Sequence, residues 1–323
     1  MATNLIEPLL VSIDAQGPYA GIAVLKLEQP DKPVIVLDRA LIERLEATLK
    51  AIPKSVLGLV LASASERVFV AGADLKSISE LDDDALHRYL EYGSKVFQML
   101  ADLPYPTAAA INGATLGGGL ELAMHCDGLI GAPPAMRDGQ PGKPYPIGLP
   151  EASLSICPGW GGSCLLPARI DPTEAIRATA TGKPLTYDQA STAGFFDAVA
   201  PSHDKLLDTA KGWVRGQAFI NSGQLNSLPT ALPAARTNTH TRDGAPSRHV
   251  GRPATVPRVM EALDAIRNDL PATGSAKAVA DAIDAGLTRG WAAACKVERD
   301  RLVHLRNTPE GKAAIQAFFA KSK

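Results

Sequence analysis

Pro106-Thr-Ala-Ala-Ala-Ile-Asn-Gly-Ala-Thr-Leu-Gly-Gly-Gly-Leu-Glu-Leu-Ala-Met-His-Cys-Asp127 is the stretch on which the fold turns. Its first half is an apolar run of strand length. Three contiguous glycines follow, then residues that favour helix, so the chain reads strand, glycine turn, helix start. Glycines reach backbone conformations closed to other residues and let a ligand approach the main chain closely. A helix N-terminus adds N–H groups without intrahelical partners and a partial positive charge. Such a turn stabilises an oxyanion. Glu121 stands three residues after Gly118, on nearly the same side of the first helical turn. A carboxylate beside an oxyanion-binding amide suits acid/base chemistry. Taken alone, the segment is more often just a tight strand-to-helix connection whose first glutamate answers the helix dipole. It is not the dinucleotide fingerprint, because Gly117, Gly118 and Gly119 do not spell GxGxxG.

Outward from this segment, strand-like apolar runs (22–27, 56–62, 108–111 and 129–130) alternate with helix-period stretches. Leu86, Leu90, Phe97 and Leu100 mark one amphipathic helix, and Asp82, Asp83 and Asp84 at its start suit the positive end of its dipole. This alternation predicts an α/β class. Residues 133–150 are rich in Pro and Gly and read as an exposed loop. Residues 222–257 read as a long irregular excursion. Helices are expected beyond it at 259–266, 277–285, 291–304 and 309–319. The expected division is an α/β body over 1–203 and a helical C-terminal region over 204–323.

With 323 residues, 46% hydrophobic and 21% charged, the chain can bury a sizeable core. A formal net charge of −1 argues against nucleic acid or an acidic membrane as partner, though not against a small anion on a local basic patch. Four cysteines without CxxC spacing read as buried free thiols in a reducing compartment. The first residues lack the basic character of a signal or transit peptide, and no apolar run reaches membrane-spanning length. A cytoplasmic protein is therefore expected. The six histidines show no metal-binding spacing, so no metal is expected.

Two further segments complete the reading: Val68-Phe-Val-Ala-Gly-Ala-Asp-Leu-Lys76 and Gly148-Leu-Pro-Glu-Ala-Ser-Leu-Ser-Ile-Cys-Pro-Gly-Trp-Gly-Gly162. In this order, over roughly residues 10–203, the three segments resemble the crotonase (enoyl-CoA hydratase/isomerase) superfamily. The stretch 178–199 also resembles that family's helix-turn-strand after the active site. The resemblance implies a spiral of repeated ββα units with a helical C-terminal region. It implies that Glu121 and Glu151 are the acid/base pair, and that the backbone N–H groups of Ala71 and Gly118 form an oxyanion hole. Ala71, Gly72, Ala73, Asp74 and Gly118 would line the acyl-CoA site. The implied reaction is syn hydration of a 2-enoyl-CoA, with Glu121 activating water and Glu151 delivering a proton to C2, and with no cofactor beyond the acyl-CoA substrate. Two amides answer charge on the thioester oxygen, and two carboxyl groups handle both protons. Alternatives are a Δ3,Δ2-enoyl-CoA isomerase, which needs one glutamate, and a noncatalytic crotonase-like binding module.

The tail Glu298-Arg-Asp-Arg-Leu-Val-His-Leu-Arg-Asn-Thr-Pro-Glu resembles the helix that closes the hydratase part of multifunctional fatty-acid-oxidation α-subunits. That implies either a homo-oligomer or a dehydrogenase or thiolase partner of β-oxidation. Glu121 and Glu151 are 30 residues apart, more than is usual in the family. The extra residues, 131–147, read as an exposed loop in preference to a flap over the acyl pocket. His125, Cys126 and Asp127 read as structural. Trp160 reads as packing or as a border of the acyl chain, Lys76 and Lys143 as exposed, and Arg236, Arg242, Arg248 and Arg252 as solvated charge.

Overall fold

The computed structural model describes residues 6–223 and 242–321. In chain order it begins β1 (Val11–Ile13), β2 (Ile22–Leu27), α1 (Arg39–Ala51), β3 (Gly58–Ser63), β4 (Val68–Val70), α2 (Leu75–Glu80) and α3 (Asp83–Ala101). There follow β5 (Thr107–Ile111), β6 (Ala114–Leu116), α4 (Gly118–Met124), β7 (Gly128–Gly131), the short strands β8 (Met136–Arg137) and β9 (Gln140–Pro141), and β10 (Pro146–Gly148). A 3-10 turn at Glu151–Leu154 leads to α5 (Gly162–Leu165), α6 (Pro172–Thr181), β11 (Leu185–Thr186), α7 (Tyr187–Thr192), β12 (Ala198–Val199) and α8 (Leu206–Asn221). Four helices close the chain: α9 (Val256–Ile266), α10 (Gly274–Arg289), α11 (Trp291–Arg306) and α12 (Pro309–Lys321).

The strands sort into two principal sheets. The larger has the order β1-β2-β3-β5-β7-β12, parallel throughout except at the β1–β2 edge. The smaller has the order β11-β10-β6-β4. Successive strands go alternately to the two sheets: β3 then β4, β5 then β6, β7 then β10, each pair followed by a helix or 3-10 turn. This is the repeated ββα spiral. Strands β3, β5 and β7 are apolar and buried on both faces, as a parallel sheet between layers requires.

Against one face of the larger sheet lie α1 and α3, whose Leu41, Leu45, Leu86, Leu90 and Phe97 join Leu25, Leu61 and Phe69 in the main core. Asp82 caps α3, its side chain accepting from Ala85 N at 2.7 Å. Against the other face lies α8. Its Trp213 ring occupies the space a Gly128 Cβ would fill, 2.5 Å away, and its Val214 does the same at Gly58. Residues 206–221, grouped by the sequence with the C-terminal helices, therefore pack as part of the sheet layer. Helices α9 and α10, with the start of α11, form another cluster around Val259, Leu263, Val279, Ile283 and Ala294, whereas Leu302 of α11 and Ile315 of α12 join the main core. No helix among the described residues is long and apolar enough to cross a membrane.

One expectation about the irregular regions changes, that of the arginines, while the inserted residues 136–141 are exposed as expected. Part of the stretch at 222–257, with Arg236, lies outside the described residues, and α9 already begins at Val256. Arg242, Arg248 and Arg252 are not merely solvated. Arg242 donates to the carbonyls of Ala101 and Tyr105, Arg248 pairs with buried Asp197, and Arg252 binds Asp243 through two N–H groups. The inserted loop folds into a β8–β9 hairpin whose turn residues Asp138 and Gly139 both have positive φ. It lies beside Arg67, Asn112 and Gly113, at the N-terminal edge of β4 and β6.

Candidate active site

Strands β4, β6 and β10 are parallel neighbours, with Val70 opposite Thr115 and Leu116 opposite Gly148. The three segments singled out by sequence leave the C-terminal ends of these strands side by side. Ligands of open parallel sheets gather at such ends. The inserted hairpin stands at the opposite ends and so does not cover the site.

The amide pair differs from the expected one. Ala71 N donates to the carbonyl of Ile35 at 2.8 Å, so this N–H is committed to the fold and is not an oxyanion donor. Along a regular strand Ala73 N would point the same way. Gly72 prevents this: its φ of +127° is closed to L-residues and inverts the alternation. Leu37 consequently bonds Gly72 O and Asp74 N, at 2.8 and 3.1 Å, leaving the intervening Ala73 N–H directed away from Leu37. A Cβ on Gly118 would lie 3.3 Å from that Ala73 nitrogen. Gly118 opens α4, where an N–H has no carbonyl one turn back. The facing amides are thus those of Ala73 and Gly118. Asp74 supports the turn, its Oδ2 accepting from Ser77 Oγ at 2.6 Å.

Glu151 and Glu121 each come close to a glycine turn through a missing Cβ, Glu151 at Gly117 and Glu121 at Gly162. A Cβ on Gly117 would lie 2.6 Å from Glu151 Oε1, and one on Gly162 would lie 3.0 Å from Glu121 Oε1. Glu121 is 1% exposed, and its Oε1 accepts from Trp160 N at 2.7 Å and Gly162 N at 2.8 Å. Burial pushes its pKa well up, the charges of Glu298 and Glu151 add to this, and the two amides oppose it. Glu151 is half-buried as a residue, yet its Oε2 is buried without a hydrogen-bond partner among the described residues. Burial, and then the charge of Glu298, lift its pKa to about 8. One carboxyl is thus anchored by amides, and the other has an oxygen open to accept or donate a proton.

A third carboxylate joins them from the C-terminal region. Glu298 of α11 is fully buried and accepts from Gly161 N at 2.5 Å and Ser163 N at 2.8 Å. Sequence reading noted this residue only as part of a helix, since nothing local couples it to a turn 137 residues earlier. Ala73 is set apart from Ala71 by the φ of Gly72 and by pairing with Ile35 and Leu37, neither of which the local sequence states.

The other tempting residues have structural surroundings. Buried His125 places Nδ1 2.8 Å from Glu121 O, and burial lowers its pKa to about 4, so it stays neutral. Asp127 accepts from Thr107 N and Oγ1 and pairs with Arg242 at 3.5 Å. Trp160 packs on Tyr89 and Phe97, with Nε1 donating to Leu90 O at 2.9 Å. All four cysteines are buried and free.

Comparison with known proteins agrees with this architecture. The family model for enoyl-CoA hydratase/isomerase matches residues 17–243. The fatty acid oxidation complex subunit alpha of Vibrio cholerae is 31% identical over 318 residues, and that of Vibrio parahaemolyticus is 30% identical over 329. The chain spans about 41% of the length of these relatives. Among solved structures, human mitochondrial delta3-delta2-enoyl-CoA isomerase aligns with a TM-score of 0.63 at 22% identity, covering 98% of each chain. A carnitinyl-CoA dehydratase from Mycobacterium thermoresistibile aligns with a TM-score of 0.65 at 19% identity, covering 97% of this chain and 90% of the other. These two share the fold. Strand order, the three adjoining turns and the family match lead to one assignment: the chain belongs to the enoyl-CoA hydratase/isomerase family.

Proposed function

We propose that the chain is an enoyl-CoA hydratase that adds water syn across the double bond of a trans-2-enoyl-CoA to give a 3-hydroxyacyl-CoA, in fatty-acid β-oxidation. The observation that carries this reading is the pair of buried carboxyl groups, Glu121 and Glu151, near enough that the charge of Glu151 raises the pKa of Glu121, with Glu151 Oε1 against Gly117, the residue before the Gly118 amide. The thioester oxygen sits between the N–H groups of Ala73 and Gly118, which stabilise the negative charge that builds there as water attacks C3. Glu121 acts in its ionised form: its Oε1 is held by two amides that oppose the upward pull of burial on its pKa, and it takes the proton from water. Glu151 holds its proton at neutral pH and delivers it to C2. Oxidation state does not change, so the reaction requires no nicotinamide.

An isomerase reading would use Glu151 alone, and its unpartnered Oε2 favours that reading. The assay that separates the two offers 2-enoyl-CoA and 3-enoyl-CoA thioesters of short, medium and long chain, without added NAD or metal. Hydratase activity consumes the conjugated-thioester absorbance; isomerase activity creates it from the 3-enoyl substrate. A flat trace with every 2-enoyl substrate would reject hydration.

The acid role of Glu151 sets a pH limit. Turnover is expected to fall about tenfold per pH unit above the Glu151 pKa, as the acid loses its proton. Stability follows the same ionisation. A folded-state pKa of about 8 lies above the ordinary value of 4.5, so the native state binds the extra proton between these limits. The associated stability is present below pH 4.5 and is lost as pH rises toward 8. A Tm measured across this window should decline with pH, and the decline should be shallower in Glu151→Gln.

A further inference from the structure

Four consecutive amides of one turn, Trp160 to Ser163, are shared between two carboxylates. Trp160 N and Gly162 N point to Glu121; Gly161 N and Ser163 N point to Glu298. The alternation requires Gly161, whose φ is +99° and whose missing Cβ admits the Trp291 ring. Trp291 opens α11, the helix that carries Glu298. The two carboxylates therefore grip opposite faces of the same turn, and one of them arrives with the C-terminal region.

Stability alone does not account for Glu298. It is fully buried, and among the described residues it has no salt-bridge partner within 4 Å. Burial raises its pKa, the Ser163 and Gly161 hydrogen bonds oppose this, and a buried carboxyl without a cation is disfavoured relative to a well-packed apolar side chain. We propose that Glu298 is a positioning residue for Glu121: by holding Gly161 and Ser163 it presents the Trp160 and Gly162 amides to Glu121 and fixes that carboxylate against the reacting carbons. The active site is thus completed only when α11 docks. This inference rests on the acid/base reading of Glu121 and Glu151.

The charge has a second effect. The groups around Glu298 are Glu121 of α4, Glu151 of the 3-10 turn, Cys157, Cys164 of α5, and Cys295 and Arg299 of its own helix. Cys157 Sγ also donates to the Glu298 carbonyl at 3.6 Å. Glu298 raises the pKa of both Glu121 and Glu151, so its removal lowers both.

Two variants of the full chain separate reach from charge. Glu298→Asp keeps the charge but is one methylene short of both amides. It should lower kcat on the order of 10–100-fold, with KM within about twofold and the alkaline limb of the pH profile in place. Glu298→Gln keeps the length but turns an amide donor toward a backbone N–H. It should lower kcat similarly and move the alkaline limb by roughly half to one unit toward lower pH. Wild-type kcat in either folded variant, or a loss confined to KM with an unmoved profile, overturns the inference. Carboxyl ¹³C NMR of the wild-type protein provides a readout independent of turnover and of the variants. Coupled titration of the Glu298 and Glu121 resonances supports the inference, and independent titration overturns it. Should the wild type turn over no enoyl-CoA, the proposed reaction fails, and the NMR titration still decides whether Glu298 governs Glu121.

Discussion

Glu121→Gln is expected to lower kcat on the order of 10²–10⁴-fold while KM for an enoyl-CoA stays within a few-fold. The substitution is chemically selective. A glutamine at 121 can keep its carbonyl oxygen on the Trp160 and Gly162 amides, so the turn and the surrounding core persist. What it loses is the ability to take a proton from water. Glu151→Gln should cost a comparable factor for the complementary reason: its Oε2 position would carry an amide too weakly acidic to protonate C2. It should also abolish the alkaline limb, because the group with a pKa of about 8 is gone. The two losses are not expected to add, since both residues serve one concerted addition. Steady-state kinetics on the two single variants and the double variant provide the check. Turnover of Glu121→Gln within threefold of wild type would remove Glu121 from the mechanism.

Gly118→Ala should be as damaging, though no charge changes. The new Cβ would lie 2.4 Å from Cζ3 of Trp160, and that ring cannot yield. Its Nε1 is bonded to Leu90 O, Tyr89 and Phe97 pack on it, and its far edge already fills the space beside Gly93. The strain must therefore move the Gly118 turn, and with it the N–H proposed to meet the thioester oxygen. Losing one oxyanion donor typically costs ~10²–10³ in kcat. A folded Gly118→Ala protein, verified by near-UV circular dichroism, that hydrates at close to the wild-type rate would show that this amide does not meet the thioester.

Comparison of Ala71 with Ala73 shows what a motif conveys and where it stops. Both lie in the same four-residue turn, and residue type does not distinguish them. The choice depends on which N–H is consumed by pairing with Ile35 and Leu37, more than thirty residues upstream. Glu298 is a sharper case, since periodicity places it on a helix without telling which buried turn that helix reaches. The sequence grouped the α8 residues with a helical C-terminal region and did not show their partner, because the small residues Gly58 and Gly128 that receive Val214 and Trp213 lie far away in the chain.

The sequence by itself determined the α/β alternation and the three turns, because each depends on short-range properties, apolar period and glycine's freedom of φ; the two glutamates were pointed to by the resemblance that those three segments carry. Only the tertiary structure decided which amides the strand pairing consumes, which buried turn Glu298 reaches, and at which end of the smaller sheet the inserted hairpin lies. Those outcomes depend on strand pairing and helix docking between distant segments, where the sign of one dihedral or the register of one strand redirects a polar group without leaving a mark on local composition.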